Sequence, residues 1–350
     1  MSHDTPVAIA IPVLDRPAQI GPAIEAALAQ SHPDCLVIAI DDGSKGGAAG
    51  ATWAAMRRFA PHPRVALIRL ARNLGTGRAK NVAIALAGRR AISFHDSDDR
   101  PHTDKLLRQS RVLALRGLRG DAGLNWGVIG RAAGAELQIG AVFCHHDLIL
   151  PDGSRRTIRR EISMVDDLFP NAQPEPAAGD WLHINSGLFA PAVFRELGGY
   201  ADSVEEDRDL RNRLLMSGQI LRVIEEPLLT KIETAGSLTL SPETGYDSPR
   251  RRADRHAIWR AVEDWFATRR IAPRPIDLPH DCLAEITNPA ALALSEAAMT
   301  APCRAMLAAM LSAMLAEAPA SPRPAAGSSF PPPRSGRSAA GPTAEIEAAL

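Results

Sequence analysis

Blocks of apolar residues alternate with helically spaced ones over the first hundred positions. Val7 to Val13 is an unbroken apolar run, which predicts a strand buried on both faces of a parallel sheet. Ile20, Ile24, Ala27 and Leu28 follow at helical spacing. Leu36–Ile40 is a second buried strand, ended by Asp41-Asp42-Gly43-Ser44, and a helix is expected from Thr52 to Phe59. Val65–Leu70 is a third strand, Gly75-Thr76-Gly77 turns into a helix through Asn81 to Ala87, and Ala91–Phe94 is a fourth strand. This rhythm implies an α/β fold: a doubly wound, mostly parallel sheet with flanking helices and ligands at the strands' C-terminal ends.

Beyond residue 100 the pattern is looser. Trp126–Gly130, Leu137–Cys144 and Trp181–Phe189 are expected as strands, with Pro151-Asp152-Gly153-Ser154 as a turn. Ala192–Leu197 and Asp207–Met216 have helical character, as does the stretch running through Trp265. Residues 291–316, rich in Ala, Leu and Met, predict one or two accessory helices broken near Pro302. From about Ala318 the chain is Ala/Pro/Ser/Gly-rich and lacks apolar surface for a core, so a disordered tail is expected. The division expected is 1–250 as the sheet-bearing domain, 251–317 as a helical extension and 318–350 as the tail.

Composition narrows the class without choosing a function. In 350 residues, 40 Lys and Arg balance 40 Asp and Glu, so no overall charge favours nucleic acid or anionic lipid. The 4 cysteines are scattered without a CxxC, against a disulfide framework or zinc site, and a cytoplasmic setting is expected. Neither a signal peptide nor a membrane-spanning run is legible, although peripheral contact with a membrane-borne acceptor is compatible with the chain.

The candidate chemistry lies in acidic clusters. His95-Asp96-Ser97-Asp98-Asp99 directly follows the fourth strand. Carboxylates crowded at a strand end repel one another unless a cation sits among them, which suits Mn²⁺ or Mg²⁺ held against a pyrophosphate. The plain alternative is a solvated loop before the helix starting near Pro101. Glu205-Glu206-Asp207 opens a helix, where acids either favour the dipole or supply a general base. Asp41-Asp42-Gly43-Ser44 can accept hydrogen bonds from a nucleoside, or cap the next helix. Asn73 to Asn81 offers glycines, a helix start and the cations Arg78 and Lys80, suited to a nucleotide but common in loops. It is neither GxGxxG nor a P-loop. His145-His146-Asp147 suggests a metal, but neighbouring strand residues point to opposite faces. The arginines at 250–255 are either a solvated face or a clamp over a pyrophosphate.

Order and spacing carry more than any one motif. A strand ending Asp-Asp-Gly-Ser, then Asn-x-Gly and Ala-Lys-Asn, then a strand ending Asp-x-Asp-Asp, precede Asn185-Ser186-Gly187, Phe194 to Tyr200, and Glu206-Asp207-x-Asp209-Leu210. Over residues from about 6 to 240 the set resembles the GT-A glycosyltransferases of family 2. The resemblance implies a nucleotide-sugar donor, UDP-sugars favoured, a glycan, lipid-linked or other hydroxyl acceptor, Mn²⁺ or Mg²⁺, and inversion at the anomeric carbon. It implies that Pro12, Asp41 or Asp42, and Asn73 line the nucleoside pocket, and that Lys80 and Asp96 also bind the donor. Asp96 and Asp98 would occupy the Asp-x-Asp, with Asp98 on the metal, and Asp207 would be the base. Lys80 stands where the family usually has Arg, and Thr234 where a histidine often lies near the metal. No Gln-x-x-Arg-Trp motif or membrane span comes after it, against a processive synthase. Rival readings are a sugar-phosphate nucleotidyltransferase, whose glycine-rich first loop is missing after Val13, and an inactive nucleotide-sugar-binding protein.

Overall fold

The structure, a computed structural model, describes residues 5–115, 118–119, 136–163, 167, 182–233, 243–245 and 247–317. The expected strands at Trp126–Gly130 and the start of Trp181–Phe189, the Thr234 segment and the 318–350 tail lie outside them.

The strands are β1 (Val7–Val13), β2 (Cys35–Asp41), β3 (Val65–Leu70), β4 (Ala91–Phe94), β5 (Arg100–Pro101), a short pair β6 (Leu118–Arg119) and β7 (Glu136–Leu137), β8 (Ile139–Ile149), β9 (Arg155–Ile158), β10 (Leu188–Phe189), β11 (Ile220–Ile232) and β12 (Leu283–Ile286). The α-helices are α1 (Pro17–Leu28), α2 (Ala51–Arg57), α3 (Thr76–Leu86), α4 (Lys105–Leu113), α5 (Pro191–Leu197), α6 (Glu206–Met216), α7 (Pro249–Thr268) and α8 (Ala301–Glu317). One sheet runs in the order β12-β3-β2-β1-β4-β10-β8-β11-β5, with β9 on β8. β3, β2, β1 and β4 are parallel, and every residue of β2 and β4 is buried. The unbroken apolar runs thus reflect helices covering both faces. β10 enters antiparallel between β4 and β8, so the second half of the sheet is mixed. Apolar side chains of alternate parity fill two cores, one on each face.

Three local differences from the expected elements have simple causes. The helix expected from Pro101 begins at Lys105, because Arg100–Pro101 pairs with Thr230 and Leu229 of β11. The segment before Phe189 forms a 3-10 turn at Ile184–Ser186 and only a two-residue strand. Pro302 does not break a helix; it sits in the first turn of α8, where no backbone N–H is needed. Residues 251–317 also contribute more than helices. β12 returns to the sheet antiparallel to β3. The 4 cysteines are buried and free.

Candidate active site

β1, β2 and β4 release their chains at the same edge of the sheet, and the loops beyond those three ends build the site. At the end of β2, Asp41 is fully buried; one oxygen accepts from the Ser44 N–H at 3.0 Å and the other has no partner. Asp42 spends both oxygens on the next loop, accepting from Leu74 N at 2.7 Å and Gly75 N at 3.0 Å. Burial pushes Asp42 up to about 6, despite those two N–H donors. Asn73 folds back on the same loop and accepts from Gly75 N at 2.9 Å. Gly43 makes the approach possible: at φ +72°, its Cβ would lie 2.2 Å from the Arg72 carbonyl carbon. Asp42 and Asn73 thus hold that loop, and the buried, unpartnered oxygen of Asp41 accepts from none of its donors. Pro12, half-buried in β1, lies beside Ile40 in register.

β4 delivers the acidic cluster. Asp96, Asp98 and Asp99 each bring a carboxylate oxygen within 4.8 Å of the others. Asn185 donates its amide to Asp96 Oδ2 at 2.8 Å, and Arg16 pairs with Asp98 Oδ2 at 2.5 Å. Asp99 is 3% exposed with neither oxygen hydrogen-bonded. Burial and its neighbours Asp96 and Asp98 hold its pKa well above the usual range, against the pull of Lys231 and Lys105. Two orphaned oxygens beside two further carboxylates fit a hard divalent cation, which would supply the missing positive charge. Behind the cluster, Lys105 is fully buried and donates to Ser93 Oγ at 3.0 Å; burial lowers it to about 8.

Glu205 is the N-cap residue of α6, whose first residues Glu206 and Asp207 meet α3 through Lys80. Asp207 has a side chain 36% exposed and meets Lys80 Nζ at 2.7 Å. Glu206 is within 3.4 Å of the same ammonium. Lys80 lies over the Tyr200 ring at 4.8 Å and is 1% exposed, so α3 turns it toward α6. Burial would lower its pKa, but Asp207, Tyr200, Glu206 and Asp96 together hold it well above the usual value. Asp207 and Asp96 thus both act on the one Lys80 ammonium.

Other candidates have structural partners. Asp209 is fully buried and bound by Arg213 and Arg274 at 2.8 Å each. Arg251 and Arg255 both reach Glu205, so these two arginines dock α7 onto the start of α6. His145 accepts from Arg160 N, while the His146 ring lies 5.2 Å from that of His183. Among the described residues, only Asp96, Asp98 and Asp99 form a metal-sized group. No local motif marks Arg16, and the Asn185-Ser186-Gly187 motif did not show that Asn185 meets Asp96, because these contacts span 82 and 89 residues in sequence. Asp99's role was partly signalled by its place in the Asp-x-Asp-Asp run.

Comparison with known proteins agrees with the motif order. Residues 8–114 match the sequence profile of Glycosyl transferase family 2. The succinoglycan biosynthesis protein ExoO of Rhizobium meliloti is 32% identical over 226 residues, 64% of this chain and 55% of the relative. The chain therefore spans about half the length of the curated relative it matches. Among solved structures, Staphylococcus aureus TarS (residues 1–349) is 13% identical, with TM-score 0.45, covering 65% of this chain and 60% of that one. The mannosyltransferase PcManGT of Pyrobaculum calidifontis, in complex with GDP-Man and Mn²⁺, is 19% identical with TM-score 0.43, covering 89% and 79%. By the matched profile and this relative, the chain is similar to family 2 glycosyltransferases.

Proposed function

We propose that this protein is a non-processive, inverting glycosyltransferase that moves a sugar from a nucleotide-diphosphate donor, UDP-sugars favoured, to an acceptor hydroxyl. The observation that carries this is a three-carboxylate cluster at the end of β4 together with a separate, part-exposed carboxylate, Asp207, whose ion-pair partner Lys80 also feels Asp96. One group of acids suits a diphosphate and its cation; the other suits the acceptor's proton.

In this reading Asp41, with its buried and unpartnered oxygen, and Asp42 stand at the nucleoside. Pro12, with the loop that Asp42 and Asn73 hold, shapes its pocket. Asp96 and Asp98 would hold Mn²⁺ or Mg²⁺, with Asp99 beside them, and that cation supplies charge neutralisation at the diphosphate. Asn185 and Arg16 keep the two ligand carboxylates from turning away. Asp207 removes the proton of the acceptor hydroxyl as that oxygen bonds to the anomeric carbon. The bond from that carbon to the diphosphate breaks on the opposite side, which inverts the centre.

Asp207→Asn tests this directly. The amide keeps the size and hydrogen-bonding reach but lacks a basic carboxylate. Its kcat should fall by roughly 10²–10⁴-fold, the usual contribution of a general base, with little change in donor affinity. If Asp207 only caps a helix, turnover stays near wild type, because Asn caps about as well as Asp. A transfer assay over a panel of nucleotide sugars, with a melting curve beside it, decides between them.

A further inference from the structure

We infer that Lys80 is a positioning residue for Asp207 rather than a contact to the donor. This rests on the reading of Asp207 as the base. Four observations support it. First, the Lys80 side chain is 1% exposed, so its ammonium is enclosed. Second, that ammonium lies 2.7 Å from Asp207 Oδ1 and 3.4 Å from Glu206 Oε1, with the Tyr200 ring 4.8 Å beneath. Third, Asp207 Oδ2 has no partner among the described residues, so the clamp engages one oxygen and leaves the other for an acceptor. Fourth, the neighbouring Asn81 fixes the chain that leads to Asp207. It donates to Tyr200 O at 3.0 Å and accepts from Tyr200 N at 2.7 Å.

The packing around this clamp leaves little slack. A Cβ on Gly77 would lie 2.6 Å from the Ala201 carbonyl oxygen, so α3 presses directly on the loop before α6. The Lys80-Asn81 pair therefore grips that loop twice, once by its backbone and once by its acids. A carboxylate at the exposed end of a helix has several rotamers. An enclosed ammonium selects the one in which Oδ1 faces the protein and Oδ2 faces out. Small misplacements of a catalytic group cost about 10²-fold in rate. Lys80 thus acts on the chemical step through Asp207 without touching the substrate.

The test compares Lys80→Met, Lys80→Arg and the double variant Lys80→Met with Asp207→Asn, in steady-state transfer assays. Met keeps the apolar stem and removes the charge. The expected result is a fall in kcat of about 10²-fold for Lys80→Met with donor KM within about twofold. Lys80→Arg keeps a cation and should retain kcat within about tenfold of wild type. The double variant should be no slower than Asp207→Asn alone, since Lys80 acts through that carboxylate. Should Lys80→Met not fold, Lys80→Gln takes its place with the same expectation. A rise in donor KM with kcat unchanged would make Lys80 a donor contact and overturn the inference. So would additive losses in the double variant, or equal losses in the Met and Arg variants. Near-normal turnover in Asp207→Asn alone would instead overturn the base assignment.

Discussion

Asp98 and Glu206 show how two acids in one site take opposite burdens. Asp98 shares a 4.8 Å cluster with two other carboxylates and has Arg16 as its protein counter-ion. Its removal takes away the proposed cation ligand and the carboxylate that meets Arg16. Asp98→Ala should weaken Mn²⁺-dependent UDP or GDP binding at least about tenfold, each tenfold being about 1.4 kcal/mol. Calorimetry showing equal affinity in Mn²⁺ would take Asp98 out of the metal site. Glu206 carries a different cost. Burial pushes it up to about 7; Lys80 opposes that rise and Asp207 adds to it. A carboxyl whose pKa rises on folding stabilises the fold below the unfolded value of 4.5, and that contribution is lost as pH rises through about 7. Glu206→Gln cannot titrate. Its melting temperature, relative to wild type, should therefore climb between pH 4.5 and 7; a constant difference across that window would mean Glu206 keeps an ordinary pKa.

At the scale of elements, α6 is held by charges placed inside the core. Asp209 is fully buried between Arg213, four residues on, and Arg274, which arrives from beyond α7. Arg213 also donates to the carbonyls of Leu197 and Gly199 at 2.7 Å each, so it joins α5, the glycine turn and α6. Breaking a buried pair costs about 3–5 kcal/mol, because the abandoned charge and carbonyls stay buried. Arg213→Met should lower unfolding free energy by about that amount in urea titration, whereas a loss near zero would show that Arg274 alone satisfies Asp209. The i,i+4 spacing of Asp209 and Arg213 was legible in the sequence; the third partner, 65 residues away, was not. The same division holds across the fold. β1 to β4 were legible because burial on both faces writes an apolar run, and β3 and β4 fall on the expected residues. β10 is two residues long inside the longer strand expected over Trp181–Phe189, so the local pattern marked its place but not its length or its antiparallel pairing on both sides. In the site, residue type and order picked out the acids. That Lys80 turns toward α6, and that Asp42 binds a loop, depend on which face of α3 and β2 packs inward.

At the scale of the whole molecule, the open question is whether residues 251–317 are an accessory extension or part of the fold. Three features join them to the sheet. β12 pairs with β3, with Leu283 opposite Leu70, and covers an edge that would otherwise expose unpaired backbone groups. Ile258, Val262, Trp265, Ile276, Leu278, Cys282, Leu307 and Leu311 belong to the same apolar cluster as Ala8, Ile38 and Phe94. Arg274 closes the buried pair on Asp209. The ion pair of Arg72 with Asp281 adds little, since both side chains lie largely in water. Ending the chain after Thr268 would remove β12, Arg274 and α8 together. Such a protein should lose cooperative unfolding and bind a dye for exposed apolar surface. Ending it after Glu317 removes an Ala/Pro/Ser/Gly-rich stretch with too few apolar residues to build a core. That version should melt close to the full chain and keep transfer activity. A cooperative melt after the first cut would make 251–317 a separable extension, and a large fall in melting temperature after the second would show that the tail docks on the fold.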